Sequence, residues 1–154
     1  MTIEDDIAFF ERVPTLSMLG RGALRILAIG AESRYVHSGD TLFRAGEEAD
    51  SGYVVQEGSF TLTPRVADDG DSVMVGAGTL LGELALFTET TRPVTATACE
   101  PSTVLRIPRA LFLKMLDGYP EAAARLRDIL ATRIAESERD MRRIRSALDG
   151  AKEK

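Results

Sequence analysis

Between Leu81 and Glu100 the chain reads LGELALFTETTRPVTATACE. Glu83 follows Gly82 directly, and the stretch's one arginine, Arg92, stands directly before Pro93. An arginine fork recognises phosphate or carboxylate oxygens through paired contacts. Glycine at position 82 lets a ligand approach the backbone closely. A helical turn over 83–87 would present its free N–H groups as an anion cradle. Glu83 is badly placed to touch an anion but well suited to accept hydrogen bonds from sugar hydroxyls. A compact ligand with a singly charged phosphate and a ribose hydroxyl satisfies every part. The same two residues are equally consistent with a mutual ion pair or with solvated side chains.

Such a site needs a scaffold, and the composition allows one. The chain has 154 residues, 44% of them hydrophobic and 28% charged, with a formal net charge of −5. A domain of that size buries roughly 68–70% of its unfolded surface, enough for a core without staples. The negative balance gives no reason to expect nucleic acid or an anionic membrane as partner of the whole domain. No apolar run approaches the ~18–20 residues of a membrane span. The N-terminus, MTIEDDIAFFERV, is acidic where a secretory signal is basic, so a cytoplasmic location is expected. Cys99 is the only cysteine, which excludes an internal disulfide. Its apolar neighbours predict a buried, inert thiol.

The hydrophobic pattern predicts one α+β domain over 1–154. N-terminal helices occupy 3–33, an antiparallel β-roll of the jelly-roll type 34–108, and C-terminal helices 109–149. Residues 3–12 read as a short helix with acids near its start, and Pro14 interrupts it. Residues 16–31 read as a second helix with Leu24, Leu27, Ala28 and Ala31 on one face. From Arg34 to Pro108 the segments are short, rich in Val, Thr, Phe and Leu, and cut by glycines. Strands are expected at 34–38, 40–44, 52–57, 59–66, 72–77, 95–100 and 103–108. Phe60 and Leu62 share one face of theirs. ADDGD at 67–71 reads as a hairpin turn. Pro108 opens a helix that Gly118 closes, and Pro120 opens a long one to about 149.

The quoted stretch resembles the phosphate-binding cassette of the cyclic nucleotide-binding domain family. That cassette runs Gly-Glu-Leu-Ala-Leu, a short loop, then Pro-Arg-Ala-Ala/Ser-Thr; here it reads GELALFTETTRPVTATA, with Arg92 at the usual spacing from Gly82. Upstream, RYVHSGDTLFRAGEEADSGYVVQEGSFTLT is similar to the family's first hairpins. Downstream, STVLRIPRALFLKML resembles its last strand and following helix. The resemblance covers about residues 9–116. It implies that Glu83 accepts from a ribose 2′-hydroxyl, that Arg92 binds a cyclic phosphate, and that amides near Leu84 and Ala85 complete the pocket around Gly82. It implies cAMP or cGMP as effector ligand, with cAMP the default, and no cofactor. It departs from the family at Pro93, which stands where the family's following residue donates its N–H to the phosphate; proline has none to give. A second expectation is therefore a degenerate fold acting as a dimerising interaction module.

No set of side chains suggests catalysis. His37 is the only histidine and reads as a surface strand residue, which disfavours a site built on several imidazoles. No Ser/His/Asp or Cys/His set can be assembled, so a non-catalytic protein is expected.

The final helix carries a heptad pattern. Ile134, Met141 and Leu148 fall at a, and Leu130, Ser137 and Ile144 at d. In a parallel homodimer Arg133 would face the partner's Glu138, and Asp140 the partner's Arg145, both of opposite sign. The competing arrangement packs the helix on its own barrel. In transcription regulators of the catabolite activator type such a helix leads into a helix-turn-helix. The sequence has no room for one after Lys154, so no DNA partner is expected, and the arginines at 139, 142, 143 and 145 read as heptad surface. An effector protein that receives the signal is expected but unidentified.

Overall fold

The structure is a computed structural model and describes residues 2–64 and 72–129. The expected turn at 67–71 and the heptad residues Leu130, Ile134, Ser137, Met141, Ile144 and Leu148 lie outside the described residues. The architecture is the expected one: helices, then an antiparallel β-roll, then helices.

Helix α1 (Ile3–Phe10) starts with a capping box. Asp5 N–H donates to Thr2 Oγ1 at 3.2 Å, and Thr2 N–H donates to Asp5 Oδ2 at 3.1 Å. After a single turn, α2 (Pro14–Ser17), helix α3 runs from Arg21 to Gly30. The sequence predicts one continuous helix over 16–31, and the structure breaks it. Gly20 is the N-cap of α3 at φ +88°, a left-handed angle that no helix interior accommodates. Arg21 bridges Glu4 and Glu11, and Arg25 also meets Glu4, at 2.6–3.0 Å. These ion pairs are exposed and add little to stability; the apolar face of α3 carries the packing.

The roll comprises β1 (Glu32–Val36), β2 (Thr41–Phe43), β3 (Glu48–Ala49), β4 (Ser51–Glu57), β5 (Ser59–Pro64), β6 (Val73–Gly76), β7 (Leu80–Leu81), β8 (Thr90–Thr91), β9 (Val94–Ala98) and β10 (Ser102–Pro108). Two four-stranded sheets run β1-β10-β4-β7 and β2-β9-β5-β6, with β3-β8 as a two-stranded ladder. All pairings are antiparallel. Strands β3, β7 and β8 have two residues each, too few for an alternating pattern to announce them.

Strands β4 and β10, at the middle of the first sheet, are buried on both faces. Val54, Leu105 and Ile107 pack against Phe10, Leu24, Leu27, Phe112 and Met115 of the helices. Their neighbours Tyr53, Val55 and Val104 point the other way, into the roll with Val36, Phe43, Phe60, Leu81 and Ala96. Two cores on opposite sides of one sheet explain why GYVVQE reads as a continuous apolar run rather than an alternating one.

Helix α4 (Arg109–Gly118) follows β10 without a gap. Helical residues resume at Pro120 and continue through 129, burying Ala122 and Leu126. Arg125 Nη1 donates to the Met18 carbonyl at 3.0 Å and ties this segment to the α2–α3 junction. Among the described residues no helix is long and apolar enough to cross a membrane.

Cys99 corrects a sequence expectation. It is exposed, not buried. Along β9 the side chains alternate, Ala96 and Ala98 facing the core, so the next position faces out. Its Sγ lies 2.9 Å from Thr61 Oγ1 on the outer face. The apolar neighbourhood in sequence misled; the period-two pattern was the better guide. His37 falls just past β1, exposed, its ring edge-on to Tyr35 at 4.6 Å and its Nδ1 3.7 Å from Asp40.

Candidate functional site

Strand β7 pairs with β4 through Tyr53↔Leu81 and delivers the chain to Gly82. Gly82 adopts φ 73°, ψ 38°, the left-handed conformation, and caps a 3-10 turn over Glu83–Leu86. Ala85 and Leu86 of the turn are buried, and the Leu86 side chain fills the space beside Gly52. Leu84 stays on the outside, 60% exposed. The Ala85 amide donates to the Gly82 carbonyl at 3.1 Å, and Thr88 N–H to Leu84 at 3.2 Å. The amides of Glu83 and Leu84, at the start of the turn, have no carbonyl three residues back within it.

One side chain fastens this turn to the rest of the domain. Arg109, the first residue of α4, directs Nη1 at three carbonyls: Thr88 at 2.9 Å, Ala49 at 3.0 Å and Ala85 at 3.2 Å. Phe87, just past the turn, meets Phe112 of α4 edge-to-face at 5.3 Å. The cassette and α4 are thereby in direct contact.

Arg92 enters from the other side. Its backbone is pinned twice: its N–H donates to the Glu47 carbonyl and its carbonyl accepts from Gly46 N–H, both at 2.8 Å. The side chain then runs inward and is only 5% exposed. The guanidinium carbon stands 4.4 Å from the Phe43 ring centroid and 5.4 Å from that of Tyr53. Nη2 donates to Ser51 Oγ over a long 3.4 Å. Among the described residues, Nη1 is the one buried side-chain polar atom without a hydrogen-bond partner. Burial lowers the pKa of Arg92, partly offset by attraction from Tyr53, Asp50 and Glu47; an arginine so placed remains charged.

A cavity of about 220 Å³ opens beside Arg92, lined by Ala49, Gly82, Glu83, Leu84, Ala85, Thr90, Thr91, Arg92 and Pro93. All six residues singled out from the sequence line it. Pro93 sits exposed at the bend between β8 and β9. Ala49, Thr90 and Thr91 were not singled out. They arrive through the β3–β8 ladder, where Ala49 opposes Thr90 and Glu48 opposes Thr91. Nor did sequence reasoning find Phe43, Tyr53, Ser51 or Arg109. For Arg109 a signal existed, a lone arginine after a helix-opening proline; for the two aromatics there was only their place on inward faces.

Near the site, a half-buried arginine meets two exposed carboxylates. Arg106 donates to Asp50 and to Glu32, each at 3.1 Å. Burial raises the Asp50 pKa, but hydrogen bonding to Ser51 and attraction to Arg106 outweigh it and hold the carboxyl below its usual range.

Comparison with known proteins identifies the family of the domain. The family model for the cyclic nucleotide-binding domain matches residues 33–119, more than half of the chain. The chain therefore belongs to the cyclic nucleotide-binding domain family, a class of regulatory binding domains. A solved cyclic nucleotide-binding-like protein from Brucella abortus is 37% identical, with a TM-score of 0.65 over 73% of this chain and 98% of that one. The N-terminal domain of a transcriptional regulator from Streptomyces coelicolor superposes with a TM-score of 0.76 at 30% identity, covering 86% of this chain and 94% of that one. Among curated proteins, Lysophospholipase nte1 of Neurospora crassa is 33% identical over 101 residues, 64% of this chain. The match takes in 7% of that protein's length, so the likeness is to one small part of it.

Proposed function

We propose that the chain binds a cyclic nucleotide reversibly and without chemistry, cAMP by default, as a regulatory sensor. The observation that carries this reading is the unpartnered Nη1 of Arg92, buried beside a cavity that Gly82, Glu83 and Leu84 also line. A buried cation with an open donor is costly unless an anion completes it. In this reading Arg92 holds the cyclic phosphate, assisted by the amide of Leu84. Ala85 N–H is committed to Gly82, so the turn's contribution falls on its first amides. Glu83 accepts from the ribose 2′-hydroxyl. The cavity is smaller than the ~300–1,000 Å³ of a whole-ligand pocket, so phosphate and sugar occupy it and the base extends to the rim, where Leu84 offers an apolar cover.

The reading is non-catalytic because the cavity's lining offers one carboxylate, Glu83, and no histidine, cysteine or serine. The output is a change in how the cassette sits on α4, received by an effector protein in the cytoplasm. The heptad from Leu130 to Leu148 is proposed as a parallel homodimer seam, with neither DNA nor membrane as partner. Calorimetric titration with cAMP and cGMP tests the ligand, and sedimentation tests the dimer.

Pro93 favours a second reading, a member that has lost its ligand and serves as a dimerising module. It lines the cavity without an N–H to offer. Absence of heat with either nucleotide, in a protein that sediments as a dimer, selects this reading.

A further inference from the structure

Arg92 raises a question that its ligand role leaves open: what holds a buried guanidinium in place before any anion arrives? A carboxylate is the ordinary answer, and here Asp50 and Glu47 attract Arg92 while each also meets another arginine. Asp50 is held by Arg106 at 3.1 Å, and Glu47 faces Arg44 at 4.0 Å. The side-chain hydrogen bond of Arg92 to Ser51 is long at 3.4 Å.

Two aromatic rings take that place. Phe43 comes from β2 in one sheet and Tyr53 from β4 in the other, and both are buried in the roll. Their rings stack at 5.9 Å with 27° between planes, making one shelf. The guanidinium carbon lies within 6 Å of both centroids, at 4.4 and 5.4 Å, inside the range of a cation–π contact. The two supports differ in a way that matters for function. A carboxylate would neutralise the charge and occupy the N–H fork. An aromatic face attracts the charge and leaves the donors free. Nη1 is the atom left over, and it is the atom against Gly82.

We propose that Phe43 and Tyr53 are positioning residues that hold the Arg92 guanidinium aimed at the cavity, its Nη1 donor open, in the ligand-free domain. The proposal rests on the anion-binding reading for its consequence, but its structural content concerns the free protein. The rings touch Arg92, not the ligand.

The free protein supplies the first test. Nuclear magnetic resonance of the ligand-free full chain should show the Arg92 Cδ and Nε protons shifted upfield of the other arginines by the ring faces. Arg92→Lys assigns the signals, Phe43→Leu removes the shift, and Tyr53→Phe keeps it. Arg92 signals at ordinary positions in the wild type overturn the shelf, whether or not a variant folds. The second test is cAMP affinity. Phe43→Leu should weaken it about five- to thirtyfold, the range of a desolvated cation–π contact, and Tyr53→Phe should stay within about twofold of wild type. Equal affinity in a folded Phe43→Leu overturns the proposal. A wild type that binds no cyclic nucleotide ends the ligand reading, and the upfield shift then decides the shelf alone.

Discussion

The Nη1 atom of Arg92 occupies the space where a β-carbon on Gly82 would stand. Position 82 is therefore constrained twice: by a left-handed backbone, φ +73°, and by the space that the guanidinium occupies. Two residues distant in sequence share one small volume, and that volume opens onto the candidate cavity.

Gly82→Ala tests this relationship. The left-handed backbone costs an alanine about 1–2 kcal/mol, and the new methyl displaces Arg92 from its position. Thermal melting should fall accordingly, and cyclic nucleotide affinity should drop by tenfold or more. A variant that loses stability yet keeps full affinity would show that Arg92 does not act from the position seen here.

Asp50 gives a pH dependence with a definite sign. Its carboxyl is held below the ordinary aspartate value in the folded domain. A depressed carboxyl contributes stability that is complete above the unfolded value, about 3.9, and is lost as pH falls through the lower folded one. The melting difference between wild type and Asp50→Asn should therefore be constant above about pH 5 and shrink below about pH 4. A difference unchanged down to pH 2 would mean that the Arg106–Asp50 contact contributes nothing.

Pro93 is the family's departure, and its replacement should be a gain. Pro93→Ala restores an N–H at the cavity rim, and a hydrogen bond to a charged group contributes about 1.5–3 kcal/mol, about ten- to a hundredfold in affinity. Losing the stiffer loop costs about 0.4–1 kcal/mol, so the net expectation is tighter cAMP binding by titration. Unchanged or weaker binding would place the phosphate on other donors.

Much of the site was legible because its chemistry is local. Gly82, Glu83 and Leu84 are consecutive, and the cassette spacing carries Arg92 to the same cavity. The roll was legible from glycine-cut segments and the flanking helices from their apolar faces. What the sequence hid depends on tertiary convergence. The pattern places Phe43 and Tyr53 on strands, but does not say that two sheets bring them together under one arginine. Gly20 and Gly22 weaken a helix over 16–31, but only the backbone angle at Gly20 shows that the chain turns there. Cys99 was misjudged by composition when register decides exposure. Arg109 stands after a helix-opening proline, but its acceptors are backbone carbonyls, so the sequence does not show what it holds.

The central claim is that Arg92 is a buried cation waiting for an anion. Calorimetric titration of cAMP into wild type and Arg92→Met, with the melting temperature of each ligand-free protein, tests it most directly. Methionine fills similar volume without charge, and an unsatisfied buried donor costs about 1–3 kcal/mol. The expected result is that Arg92→Met binds no cAMP while its ligand-free form melts at the same or a higher temperature than wild type. Equal cAMP binding by both proteins, or a ligand-free Arg92→Met that is strongly destabilised, would contradict it.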